Sequence, residues 1–245
     1  MNAPAIRFAK HLKTTSLVLS IAASPRKQSF YYLDMQYLYL HGFASSPQST
    51  KAQYLRDRCQ ERDRPLEILD LNQGDFTHLT LSRQIQQTIA HFQAAPTPVT
   101  LIGSSFGALT AVWVAQAQPQ VQQLVLLAPA FGFPQTWVDR LGQAQLAQWQ
   151  QDQYLSVYHY GNRQEQRLHY DFFLDAQQYD LAQATRDLPT QILHGIHDEV
   201  VAIEQSRNYA ADHPSVELIE LDSDHSLNDK LPEIWQAVQR FLAIA

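Results

Sequence analysis

Residues Val99-Thr100-Leu101-Ile102-Gly103-Ser104-Ser105-Phe106-Gly107-Ala108 constrain the fold of this chain more than any other stretch. An apolar, β-branched run leads into Gly-x-Ser-x-Gly, and a segment free of helix breakers follows from Ala108 to Gln118, stopping before Pro119. The first part has the length and residue types of a buried strand, and the last reads as a helix. Strand, sharp turn and helix in that order form a nucleophile elbow with Ser105 at its apex. The turn leaves no room for side chains beside the serine, hence Gly103 and Gly107 on either side. It lifts the Ser105 hydroxyl above the sheet and sets a helix N-terminus beneath it, where free N–H groups favour negative charge. A chance glycine–serine turn would not need both flanking elements. Glycine is also scarce, with 8 in 245 residues. That is about half the usual share, so those present mark places where nothing else fits.

The rest of the chain supplies the sheet this unit needs. A length of 245 residues allows one domain with a large core, or at most two small ones. Strands are expected at Tyr37–Leu40, Leu66–Leu69, Val99–Ile102, Leu124–Ala128, Gln191–His194 and Val216–Leu221. Leu81, Ile85, Ile89 and Phe92 share one helix face, and Leu231 to Leu242 forms a last amphipathic helix. Such alternation predicts an α/β fold: a mostly parallel sheet of about six strands, right-handed crossovers and helices on both faces. Ligands then bind outside the carboxyl ends of the strands.

Two segments fall outside this alternation. Residues Phe131–Arg186 are too long for an ordinary connection and rich in glutamine and aromatics. They are expected to form a cap insertion over the site, the other reading being an extra helix pair elsewhere on the sheet. Within them, Gly161-Asn162 would turn a hairpin between Leu155–Tyr160 and Arg167–Phe172, and the polar run Gln143–Gln153 suits a helix. Residues 1–34 read as a poorly ordered N-terminal extension before a domain spanning 35–245, with Met35 directly before the first strand. A basic start, the apolar run Leu17–Ala23 and small residues after it give the alternative of an export signal. The apolar run is too short to span a bilayer.

The chemistry follows from what a serine needs. Its hydroxyl is a poor nucleophile at neutral pH, so it requires a histidine base, and the base a carboxylate that fixes its tautomer. Behind such an elbow the chain order is serine, acid, histidine. Asp198 follows the strand Gln191–His194, and His225 follows the strand Val216–Leu221, so both stand at the required ends in the required order. His194 and His197 precede the aspartate and are read as packing or hydrogen-bonding groups. Glu199 is the rival acid, but it faces away if the turn aims its neighbour inward. Asp222 and Asp224 are expected to shape the histidine loop, and Ser104 sits off the apex. Oxyanion donors are expected from the Phe106 N–H, directly after the serine, and from the Phe43 N–H in the loop His41-Gly42-Phe43, with His41 bracing that loop. Phe43, Phe106 and Phe131 are the expected substrate-binding residues.

The segments His41-Gly42-Phe43-Ala44-Ser45-Ser46-Pro47, Gly103-Ser104-Ser105-Phe106-Gly107, His197-Asp198-Glu199-Val200 and Asp224-His225 together resemble the small bacterial YqiA/YcfP-type esterases of the α/β-hydrolase superfamily. The resemblance covers Tyr37 to the C-terminus outside the cap. It implies an α/β-hydrolase fold, the triad Ser105, Asp198 and His225, and oxyanion donors Phe43 and Phe106. Family members start near the His-Gly-Phe strand, which supports treating the first residues as an extension. This chain departs from the pattern at Ala108, where a glycine is common, at Asp224, where glycine or asparagine often precedes the histidine, and in its longer cap.

The expected function is therefore a serine hydrolase of short-chain carboxylic esters. Thioesterase, peptidase or C–C bond hydrolase action would use the same residues, and a binding member of the fold would leave them idle. The expected partner is a small-molecule ester. A formal charge of −6 argues against nucleic acid or an anionic membrane as the main partner. Cys59 is the one cysteine, so no intrachain disulfide and no cysteine-based metal site can form, which fits a reducing cytoplasm. Nothing in the sequence calls for a metal or an organic cofactor, and it does not define an oligomeric state.

Overall fold

Six strands organise the chain, and each arises where a short apolar run is bounded by turn residues. The computed structural model describes residues 35–94 and 96–244, so the expected extension of residues 1–34 lies outside the described residues. Strand β1 (Gln36–Leu40) is followed by helix α1 (Thr50–Gln60), β2 (Leu66–Leu69), α2 (Leu81–Ala90), β3 (Val99–Ser104), α3 (Phe106–Ala117) and β4 (Val121–Leu127). An insertion carries α4 (Gln135–Asp152), kinked at Gly142, then β5 (Tyr154–His159), β6 (Gln164–His169) and α5 (Asp171–Ala176). The main alternation resumes with β7 (Thr190–Gly195), α6 (Glu204–Asp212), β8 (Val216–Leu221) and α7 (Leu231–Phe241).

The main sheet is parallel throughout, with strand order β2-β1-β3-β4-β7-β8. All six expected strands are present. Side-chain alternation divides the core in two, as it must when both faces are covered. On one face Leu38, Leu40, Leu101, Leu124, Leu126 and Ile192 pack with residues of α2, α3 and α6. On the other, Tyr37, Tyr39, Ile102, Val125, Leu127 and Leu193 pack with α1 and α7. Burying a side chain of this size stabilises the fold by roughly 1.5–3 kcal/mol, so the central strands dominate its energetics. The chain leaves β1 outward to β2 and returns to β3 on the other side. The switch point of the sheet therefore lies between β1 and β3, the position where α/β sheets open a crevice.

The expected hairpin in the insertion exists, but its second arm is shifted. Gln164–His169 pairs with Tyr154–His159, whereas Arg167–Phe172 was the sequence expectation. Phe172 belongs to α5 instead. The polar residues Gln164, Glu165 and Gln166 give no apolar alternation to read, because only Leu168 of this arm is buried. The insertion is braced within itself and tied to the main fold at its exit. Trp149 of α4, fully buried, donates from its indole N–H to Leu168 O at 3.1 Å. Arg186 at its exit donates to the carbonyls of Ala115 and Gln118 at 2.6 Å each, and of Val121 at 2.6 Å. These include the orphan carbonyls at the end of α3, which a cation suits. Among the described residues, no helix is long and apolar enough to cross a membrane.

Candidate active site

Ser105 sits where β3 turns into α3, with φ 53° and ψ −114°, a backbone state that a side-chain-bearing residue adopts only under constraint. The constraint comes from packing on both sides. A Cβ on Gly103 would lie 2.5 Å from Ala108 Cα, and one on Gly107 would lie 2.2 Å from Leu40 O at the end of β1. Backbone bonds hold the apex: Ser105 N–H donates to Leu127 O at 2.8 Å, and Ser105 O accepts from Ala108, Leu109 and Ala130.

Two further strand ends bring their side chains to this apex. His225 Nε2 is 3.1 Å from Ser105 Oγ, and His225 Nδ1 donates to Asp198 Oδ2 at 2.7 Å. That bond leaves Nε2 as an acceptor facing the hydroxyl, the geometry in which an imidazole can take a proton from a serine. Asp198 is fully engaged. Its Oδ1 accepts from the N–H groups of Val200 at 2.8 Å and Val201 at 2.7 Å, and its Oδ2 also accepts from His194 Nε2 at 3.1 Å. Burial works to raise the Asp198 carboxyl, but the bonds from His194 and His225 outweigh it and hold the group well below the usual carboxylate range.

The rivals fall elsewhere. His194 is completely buried, bonded through Nδ1 to Ser206 Oγ at 2.7 Å and through Nε2 to both Asp198 and Val201 O, so it steadies the carboxylate. His197 is exposed and pairs with Asp222 at 2.9 Å. Glu199 is exposed. Asp224 shapes the turn under His225, its Oδ1 accepting from Ser226 N–H at 2.8 Å and Ser226 Oγ at 2.6 Å. Ser104 is buried in β3.

The loop after β1 is pressed against the elbow. A Cβ on Gly42 would meet Ser104 O at 3.2 Å and Ser105 Cβ at 3.4 Å, which puts the next amide beside the serine. His41, buried, donates from Nδ1 to Gly42 O at 2.9 Å and accepts the Leu71 N–H on Nε2 at 3.2 Å, tying the loop to the end of β2. Among the described residues, no carbonyl or side chain takes the N–H of Phe43 or of Phe106. Two unused donors therefore flank the Ser105 hydroxyl, one of them at a helix N-terminus.

A cavity of about 780 Å³ opens over Ser105 and His225. Its apolar part is built by Phe43, Phe106, Phe133, Trp137 and Phe172, whose rings meet at centroid distances of 5.0–6.5 Å. Phe133, Trp137, Val157 and Phe172 come from the insertion, so that segment lies over the serine. Phe43 and Phe106 line the cavity, as expected, but Phe131 does not. Its ring is buried against Tyr209 of α6 at 4.3 Å, because the chain turns at Ala130 and puts Phe133, two residues later, on the cavity side. The sequence reading also missed Lys51. It is the second residue of α1, lines the cavity and donates to Ser226 O at 2.6 Å, yet a single lysine carries no pattern that marks it.

Alpha/beta hydrolase domain-containing protein 10 from mouse superposes with a TM-score of 0.73 at 19% identity, over 85% of this chain and 89% of that one. Est1E from Butyrivibrio proteoclasticus, solved with bound ferulic acid, gives 0.69 at 18% identity over 86% and 89%. A monoacylglycerol lipase from Paleococcus ferrophilus gives 0.67 at 15% identity over 86% and 95%. At these identities the likeness is one of fold: the chain has the α/β-hydrolase fold. No curated protein matches it. The model of the uncharacterised protein family UPF0227 matches residues 36–242, and the chain therefore belongs to that family, the one of the YqiA/YcfP-type proteins.

Proposed function

We propose that this protein is a serine hydrolase that cleaves carboxylic esters through an acyl-enzyme on Ser105. The observation that carries the reading is the chain of bonds from Asp198 Oδ2 through His225 to Ser105 Oγ, at 2.7 and 3.1 Å. Ser105 Oγ attacks the ester carbonyl carbon while His225 Nε2 takes the hydroxyl proton. The carbonyl oxygen becomes an oxyanion and accepts from the N–H groups of Phe43 and Phe106. Collapse expels the alcohol, which takes the proton from His225. A water, deprotonated by the same nitrogen, then attacks the acyl carbon, the acid departs and Ser105 regains its proton. Asp198 holds the His225 tautomer throughout and balances the charge of the imidazolium.

Residues 131–186 act as the cap of this reading, and the closed aromatic floor of Phe43, Phe106 and Phe172 favours short acyl chains. The reaction is assigned to the cytoplasm, where a lone buried thiol such as Cys59 stays reduced. Release of p-nitrophenol from the acetate and butyrate esters tests the activity. Ser105→Ala is expected to bring turnover to the uncatalysed background. Equal turnover by parent and Ser105→Ala, or none by the parent on any ester, thioester or peptide, would remove the reading.

A further inference from the structure

Beside its aromatic residues the cavity is lined by polar and charged ones, and the charges have one sign. Lys51, Arg140 and Arg163 line the cavity, while among the described residues no aspartate or glutamate does. The chain as a whole is acidic, with 24 Asp and Glu against 18 Lys and Arg, so this asymmetry runs against its composition. All three cations lack a carboxylate within 4 Å among the described residues. Lys51 spends one N–H on Ser226 O and has two left over. Burial opposes the charge of Lys51 while Asp198 and Asp224 favour it from beyond ion-pair distance, the Asp198 oxygens being engaged by His225, His194 and two backbone N–H groups and Asp224 Oδ1 by the turn at Ser226.

The placement gathers these charges around the base. Ser226 follows His225 directly, so Lys51, bonded to the Ser226 carbonyl, stands beside the loop that carries the imidazole. Arg163 belongs to the β5–β6 turn, which folds over the loop leading to Lys51. Gly161 N–H donates to Ala44 O at 3.3 Å, and a Cβ on Gly161 would come within 2.7 Å of Ser46 Cβ. Arg140 lies one helical turn beyond Thr136 on α4, both facing the cavity from the other lip. Lys51 offers a compact point charge deep on the wall, and the two exposed arginines offer planar forks at the mouth.

We propose that the cavity selects esters whose departing alcohol bears an anion, a carboxylate or a phosphate monoester, with Lys51, Arg163 and Arg140 as the residues that read it. This rests on the ester-hydrolase reading and narrows its substrate class. An anion on the alcohol would take the spare N–H groups of Lys51 and enter along the arginines, while the acyl part lies on the aromatic floor. The same charges would raise the encounter rate of an anionic substrate with an otherwise acidic protein.

The test uses three acetate esters: of 4-hydroxybenzamide (neutral), of 4-hydroxybenzoate (carboxylate) and of 4-hydroxyphenyl phosphate (phosphate). Each kcat/KM is divided by the hydroxide-catalysed rate of the same ester, which removes differences in leaving-group ability. The expected result is a ratio of anionic to neutral ester of about tenfold or more in the parent, falling by about tenfold in Lys51→Met and about threefold in Arg140→Gln or Arg163→Gln, and shrinking as salt is raised. Whichever anion gives the larger ratio names the source. A ratio near one in the parent, or a ratio that none of the substitutions lowers, overturns the proposal. Should Lys51→Met fail to fold, the double variant Arg140→Gln/Arg163→Gln at exposed positions decides by the same ratio. Hydrolysis of the neutral ester by the parent but not by Ser105→Ala reads the underlying activity separately, so failure of that reading and failure of this one give different results.

Discussion

Replacing Asp198 by asparagine changes one atom and should disable the base. The carboxylate accepts four hydrogen bonds: two backbone N–H groups at Oδ1, and His225 and His194 at Oδ2. In asparagine the carbonyl oxygen must stay with Val200 and Val201, whose N–H groups lie 2.7–2.8 Å away. The amide NH2 then takes the Oδ2 position and points hydrogens at two imidazoles. His194 tolerates this, since its Nε2–H keeps Val201 O at 3.0 Å. His225 has no other acceptor for Nδ1–H among the described residues, so it shifts its proton to Nε2 and accepts from the amide. The nitrogen 3.1 Å from Ser105 Oγ then carries a hydrogen and cannot act as base. The wrong tautomer costs a serine–histidine–aspartate enzyme about 10⁴ in kcat. That corresponds to about 5 kcal/mol of transition-state stabilisation. Turnover of p-nitrophenyl butyrate by Asp198→Asn measures it, with KM expected to hold within about threefold because no cavity-lining atom changes. Retention of a tenth or more of the parent kcat by a folded Asp198→Asn would refute the tautomer argument.

Three further outcomes follow from particular contacts. Gly107→Ala would set a Cβ 2.2 Å from Leu40 O and 2.5 Å from His41 O, so backbone must move. A loss of at least about 3 kcal/mol and a Tm fall of about 6–12 °C are expected. Gly74→Ala, at φ +74° with open space around it, should cost only about 1 kcal/mol, and equal losses would sink the packing explanation. Burial brings the Lys51 ammonium from its ordinary 10.5 down to about 8, against the pull of Asp198 and Asp224. The unfolded chain therefore binds more protons between these values, and stability rises with pH across that window. Lys51→Met should exceed the parent in stability by about 1–3 kcal/mol at pH 7, with the gap closing between pH 8 and 10.5; a gap independent of pH contradicts this. Among p-nitrophenyl esters from acetate to palmitate, kcat/KM should peak at the short acyl chains, and a maximum at palmitate would mean the aromatic floor opens.

The parts of this molecule legible in the sequence are those where one local pattern suffices. β1, β3 and the Leu124–Leu127 part of β4 are runs buried on both faces, and the glycines of the elbow are obliged by contacts of 2.2–2.5 Å, so strand and turn announce themselves. Asp198 and His225 could be read from chain order and strand ends alone. α6 could not, because only Ser206 and Tyr209 of its nine residues are buried and no amphipathic stripe forms. The shift of β6 and the misplacement of Phe131 share a cause: both depend on which way the insertion folds back, which is decided by Trp149, Phe172 and Tyr209 meeting residues distant in sequence. Lys51 acts through its bond to Ser226 O, and His194, read in the sequence as a packing or hydrogen-bonding group, finds Asp198 among its partners; neither bond leaves a periodicity behind.

The most direct measurement of the central claim is covalent labelling with a fluorophosphonate, followed by peptide mass spectrometry. The reagent reacts with a serine hydroxyl that is activated by a base and faces free oxyanion donors. The expected result is one label per chain, on Ser105, blocked by Ser105→Ala and strongly slowed by His225→Ala, and in ester turnover the double variant falls no further than Ser105→Ala alone. Labelling at another residue, no labelling of the folded protein, or undiminished labelling after His225→Ala would contradict the account.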